Sequence, residues 1–262
     1  MASSASSAPN SNFTGSPFTI LSFPFTLHPF TILNSQFMKY DILHQPDSAI
    51  VKIQMDAQEE LIAEAGAMVA MSSNLDVNTT LRKGKGGGIM GGLKRMLAGE
   101  SLFLSVFRSG AEAGEIYLAP KLMGDILPYS LNGEGLVVQS TGYLASTPGV
   151  DIELGFQGFK SLLSGESIFW LNVSGSGLVL LNAFGGIYEI DVDGEYVVDT
   201  GHIVAFEKGL SFRISKANTS WWGAFFGGEG FVCRFAGKGK VYCQTHNPSA
   251  FGKMVGGQLP PR

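Results

Sequence analysis

The chain has 262 residues, of which 45% are apolar and 15% charged, with a formal charge of −4. This excludes a mainly disordered chain, which needs few apolar residues and a large net charge, and it lacks the basic excess of a nucleic-acid binder. Two cysteines are too few for a disulfide framework or a four-thiolate zinc centre, whereas 35 glycines among many Val, Ile, Leu and Phe predict short buried strands joined by tight turns.

Residues 1–37 contain no Asp, Glu, Lys or Arg, but eight Ser, six Phe and four Pro. An acid-free, Ser-rich opening suits an organellar transit peptide, although such peptides are ordinarily Arg-rich; a secretory signal would need a positive n-region. Pro24, His28 and Pro29 interrupt the uncharged run from Phe18 to Leu33, which falls short of the ~20 apolar residues of a membrane helix. Residues 1–37 are therefore read as a disordered or targeting segment, and 38–262 as a single folded domain. The expected compartment is the cytoplasm, or a mitochondrion or plastid if 1–37 acts as a transit segment.

Leu61-Ile62 predicts a strand, and Gly66-Ala67-Met68-Val69-Ala70 a glycine turn into another. From Val77 to Gly99 the chain is glycine-rich and acid-free, with Arg82, Lys83, Lys85, Lys94 and Arg95. Gly86 to Gly91 satisfies the spacing G-x-G-x-x-G, but a dinucleotide site also needs a βαβ unit with a full helix behind the loop. Leu93–Ala98 reads as a helix of one or two turns stopped by Gly99. Glu100, the strand Leu102-Phe103-Leu104 and the segment Gly114–Leu118 follow.

The same order then recurs. Asn132-Gly133 predicts a hairpin turn before Leu136-Val137-Val138, and Gly142-Tyr143-Leu144-Ala145 repeats the glycine-to-alanine segment. A short helix is expected over Phe159–Leu163, then Gly165-Glu166, the strand Ile168–Leu171 and Gly177–Leu181. In the third round a hairpin at Asp193-Gly194 precedes Tyr196-Val197-Val198 and Gly201–Ala205. Trp221-Trp222-Gly223-Ala224-Phe225-Phe226 takes the place of the short helix, ahead of Glu229, Phe231-Val232-Cys233 and Gly239–Cys243. Runs of β-branched and aromatic residues punctuated by glycine favour antiparallel strands. The expectation is an all-β domain of three repeats with short helical segments.

These residues also carry a family resemblance. Met38-Lys39-Tyr40-Asp41-Ile42-Leu43, Glu64–Ala70, Lys94–Ser101 and Val198–Phe206 resemble the family named for altered inheritance of mitochondria, and the likeness covers 38–262. It implies three short double-stranded β-helix repeats, in the fold of the tryptophan RNA-binding attenuation protein, about a pseudo-threefold axis. Fungal relatives are associated with mitochondrial inner-membrane organisation, which implies membrane-associated partner proteins. A shared fold does not carry function, and no set of site residues transfers.

Three groups of residues invite a functional reading. Arg82, Lys83, Lys85, Lys94 and Arg95 form either a solvated loop or a contact for phosphate groups of RNA or anionic lipid. Glu100, Glu166 and Glu229 recur once per repeat, which fits one structural role played three times; convergence on a hard cation is the rival reading. Trp221, Trp222, Phe225 and Phe226 belong to the core if buried and to a self-association surface if exposed, since one helical stripe cannot bury all four. Cys233 and Cys243 read as small buried hydrophobes. Neither Gly-x-Ser-x-Gly nor His-Glu-x-x-His occurs, and neither a cofactor nor a metal is expected. The leading functional expectation is a non-enzymatic assembly or scaffold protein that forms a homo-oligomer. The alternative is a binding module for a small ligand or anionic polymer through 82–95, with an enzyme built on the three glutamates third.

Overall fold

In the computed structural model of the protein, the described residues are 33–34, 37–81, 103–160, 167–216 and 231–259. Ile32–Arg262 forms one compact unit. Its described residues are mostly antiparallel strand, as expected, arranged in a five-stranded and a 12-stranded sheet. Alternation builds the strands locally: in Ile50–Met55 every second side chain, Val51, Ile53 and Met55, is buried.

The strands fall into three lobes. The first contains β1 (Leu33–Asn34), β2 (Lys39–Leu43), β3 (Ile50–Met55), β4 (Glu60–Glu64), β5 (Met68–Met71), β6 (Leu75–Leu81), β7 (Phe103–Ser109) and β8 (Gly114–Leu118). The second contains β9 (Ile126–Asn132), β10 (Leu136–Gln139), β11 (Tyr143–Ser146), β12 (Val150–Lys160) and β13 (Ser167–Asn182). The third contains β14 (Ile187–Asp199), β15 (Ile203–Glu207), β16 (Ser211–Lys216) and β17 (Phe231–Gln244).

One pairing rule holds in each lobe, and it centres on the last strand. The C-terminal half of β13 pairs with β9 and β11, and its N-terminal half with β10 and β12. Strand β17 does the same with the two halves of a single long β14, and with β15 and β16. In the first lobe the last strand is split: β8 pairs with β3 and β5, and β7 with β4 and β6. A register shift falls at the same place in all three, between Met68 and Ala70, Tyr143 and Ala145, and Ile203 and Ala205. That shared bulge fixes the equivalence of Val69, Leu144 and Val204.

Three clusters of buried side chains make up the core. One is built largely from the first lobe, around Ile53, Phe107 and Ile116. A second is centred on β13 and also takes Tyr242 from the third lobe. The last surrounds Phe206, Trp170 and Phe235.

Several local expectations are corrected. Asn132-Gly133 and Asp193-Gly194 are not hairpin turns. Strands β9 and β10, on either side of Gly133, both pair with β13; Gly194 lies inside β14, opposite Gly237 of β17. Only the glycine of each pair has positive φ, +100° and +110°, so each marks a kink along one strand line, not a reversal. Gly177 and Gly239 lie within β13 and β17, so only Gly114 opens a strand. Phe159 and Lys160 extend β12 where a helix was expected; 161–163, like 93–98, lie outside the described residues. Ahead of Met38, β1 pairs with β2 through Leu33–Tyr40 and Asn34–Lys39.

One helix was not anticipated: α1 (Pro248–Gly256), whose N-terminus is capped by the Asn247 carboxamide oxygen.

Candidate interaction surface

The residues singled out in the sequence, Arg82, Lys83, Lys85, Lys94 and Arg95, Glu100, Glu166 and Glu229, and Trp221, Trp222, Phe225 and Phe226, all lie outside the described residues. Among the described residues no group of three or more His, Cys, Asp or Glu is placed to hold a metal ion. The surface with the clearest geometry is instead the set of strand edges through which the lobes meet.

Two lobe junctions have the same construction. Strand β11 of the second lobe pairs antiparallel with β4 of the first, Ala145 opposite Ala63 and Ser146 opposite Ile62. Strand β15 of the third pairs with β10 of the second, Ala205 opposite Val138, Phe206 opposite Val137 and Glu207 opposite Leu136. Further hydrogen bonds reinforce both junctions. The Tyr143 hydroxyl donates to the Ile62 carbonyl oxygen at 3.2 Å, and the Lys208 amide donates to the Gly135 carbonyl oxygen at 2.9 Å. Tyr129 meets Tyr242 edge to face with ring centroids 5.8 Å apart. Burial pushes both phenols of this contact up to about 12.

The lobes are also stitched where they begin. The Ala49 amide donates to Gly124 O at 2.8 Å and the Asp125 amide to Gly185 O at 2.9 Å. Gln45 Nε2 donates to Asp125 Oδ1 at 2.7 Å and to Ile126 O at 2.9 Å. Backbone approach is so close that a Cβ on Gly124 would collide with the carbonyl oxygen of Ala183.

At the two ends of the series no strand among the described residues pairs with the equivalent edges. Strand β5 ends the five-stranded sheet and β14 ends the 12-stranded one. Met68 is 41% and Val69 57% exposed, whereas Tyr143 and Leu144, and Ile203 and Val204, are at most 1% exposed. Tyr196 and Val197 of β14 are 45% and 47% exposed, against 0% and 7% for Leu136 and Val137. A hollow of about 410 Å³ lies beside this edge, lined by Glu195, Val197, Arg213 and Arg234 among others. Arg213 and Arg234 are cross-strand partners.

Sequence reasoning missed these edges. Met68-Val69, Tyr143-Leu144 and Ile203-Val204 are equally apolar, and only what lies opposite them separates a buried edge from an exposed one. Cys233 and Cys243 are both buried, and desolvation pushes each thiol up to about 12. Thiols held neutral in this way are poor nucleophiles, which agrees with the reading of them as core residues.

Among the described residues no helix is long and apolar enough to cross a membrane. The chain is similar to an uncharacterised protein of Streptococcus pyogenes serotype M6, 29% identical over 230 residues, spanning 85% of this chain and 92% of that one. It is also similar to a Streptococcus pyogenes protein known from a structural-genomics crystal structure, with a TM-score of 0.71 and 27% identity over 85% of this chain and all of the other. The model of the mitochondrial biogenesis AIM24 family matches residues 40–246, which runs from within β2 to just past the end of β17. By that match, the chain belongs to the mitochondrial biogenesis AIM24 family.

Proposed function

We propose that the protein is a non-enzymatic assembly protein, a β scaffold whose work is to bind other polypeptides. The observation that supports this is the apolar surface left at the two ends of the lobe series, where Met68, Val69, Tyr196 and Val197 stand exposed on strands. Apolar strand surface of this kind marks protein–protein contact. The expected partners are further copies of the chain together with membrane-associated proteins. The expected place of action is the cytoplasm, or an organelle if 1–37 directs import.

The test is to isolate the endogenous full-length chain under native conditions, cross-link it, and weigh the complex by native mass spectrometry. The expected result is a mass well above that of one chain, made up of polypeptide alone. A single chain carrying a small ligand, RNA or anionic lipid would overturn the reading in favour of the binding module at 82–95.

A further inference from the structure

We infer that copies of the chain join end to end, the β5 edge of one pairing antiparallel with the C-terminal half of β14 of the next. This deepens the assembly reading and rests on it.

The argument begins from the two junctions already made within the chain. In each, the bulged strand of one lobe pairs with the second-strand edge of the lobe before it: β11 with β4, and β15 with β10. Three lobes supply three strands of each kind, and two junctions use two of each. The remainder is β5, whose described pairing is with β8 alone, and the Tyr196–Asp199 half of β14, whose described pairing is with β17 alone. Carrying the register across by equivalence puts Ala70 opposite Val198 and Met71 opposite Val197 of the next copy. The contact would cover Met68, Val69, Tyr196 and Val197, which stand about half exposed, whereas their counterparts at the internal junctions are buried or, for Ile62, partly buried.

Edge chemistry agrees. Natural sheets blunt free edges with charge or proline, and among the described residues the other free edges, the two-residue β1 excepted, are so marked. They carry Asp76 on β6, Pro128 on β9, Asp151 and Glu153 on β12, Arg213 on β16, and Glu189 and Asp191 on the first half of β14. Met68-Val69-Ala70-Met71 carries neither, and on the second half of β14 Tyr196-Val197-Val198 is followed only by Asp199 at the strand end. A second copy is the occupant that these edges fit, because each is the partner type the other lacks. The contact joins two different surfaces, so it closes into a ring or runs on as a filament.

The test uses the purified full chain at micromolar concentration, in sedimentation velocity and native mass spectrometry. Val69→Lys blocks one edge and Val197→Lys the other; both positions are exposed, and unchanged circular dichroism confirms the fold. Wild type is expected to assemble beyond two chains. Each variant alone is expected to associate at least tenfold more weakly, and a 1:1 mixture to stop at two chains, because each variant keeps the edge that the other lost. As an independent measurement, Met71→Cys mixed with Val197→Cys is expected to give a disulfide-linked pair of chains that neither variant gives alone.

Variants that assemble like wild type would overturn the inference. So would a wild type that stays single, or a Met71→Cys/Val197→Cys double variant that cross-links within one chain. Neither result touches the assembly reading, which fails only if the endogenous protein carries no partner polypeptide.

Discussion

Phe206 is the side chain whose removal tests the third lobe most directly. It is fully buried on β15, and its ring centroid lies 5.5 Å from Trp170, 4.8 Å from Phe212 and 5.0 Å from Phe235, each contact edge to face. Phe→Ala in a packed core costs about 3–5 kcal/mol, and aromatic pairs add ~0.5–1.5 kcal/mol each beyond their area. With three such pairs broken at once, Phe206→Ala is expected at the top of that range, about 5 kcal/mol. That is a large share of the ~5–15 kcal/mol that holds a native domain together. Phe206→Leu refills most of the volume without the ring geometry and should cost about 1–2 kcal/mol. The assay is urea unfolding followed by far-ultraviolet circular dichroism, with denaturant slopes compared to confirm that the same transition is measured. A Phe206→Ala cost below about 1.5 kcal/mol, or equal costs for Leu and Ala, would show that the cluster does not hold the lobe.

Gly124→Ala should destabilise by more than the ~1–3 kcal/mol of ordinary overpacking, because the new Cβ meets backbone of Ala183 and Gly185 and no flexible side chain; a thermal melt within error of wild type would refute this. Alkaline titration should lower stability in a set direction. Cys233 and Cys243 rise from 9.0, and Tyr129 and Tyr242 from 10.0, each to about 12 on folding, so the unfolded chain releases these protons first. The stability they contribute is complete below pH 9 and is lost as pH climbs towards 12; a urea midpoint that holds steady over that window would contradict the burial of these groups. Deleting 1–31 should leave the melting temperature unchanged, whereas deleting 1–37 should lower it, because β1 pairs with β2 and Phe37 packs on the first-lobe core. Equal melting temperatures for the two deletions would show that neither contact matters.

The architecture was legible where chemistry repeats. Three glycine-to-alanine segments, three strand runs behind them and three glycine-rich last strands pointed to one motif used three times. The recurring bulge before Ala70, Ala145 and Ala205 gives that recurrence a structural footing. Hairpins at Asn132-Gly133 and Asp193-Gly194 were misread because a glycine with positive φ serves a kink as well as a reversal. What decides between them is the long strand alongside, β13 or β17, which lies dozens of residues away. Helix α1 was within reach: Asn247 followed by Pro248 is a start signal made of a capping side chain and a first-turn proline. The exposed edges were not, since exposure depends on what lies opposite a strand and nothing in Met68-Val69 differs in kind from Ile203-Val204.

Each lobe is organised by its final strand, and this dictates an order of events on the ribosome. While the second lobe is being made, β9, β10, β11 and β12 leave the exit tunnel before the strand that all four pair with. The edge of β4 likewise waits for β11, which belongs to a later part of the chain. The nascent chain therefore carries a growing set of unpaired strands until β13, and then β17, is complete. Contacts this distant in sequence make folding slow, and unpaired edges are what aggregates meanwhile. A truncation just short of β17 should thus cost far more soluble protein than its length suggests, and translation pauses upstream of β13 or β17 should make the chain unusually dependent on chaperones that hold extended segments apart.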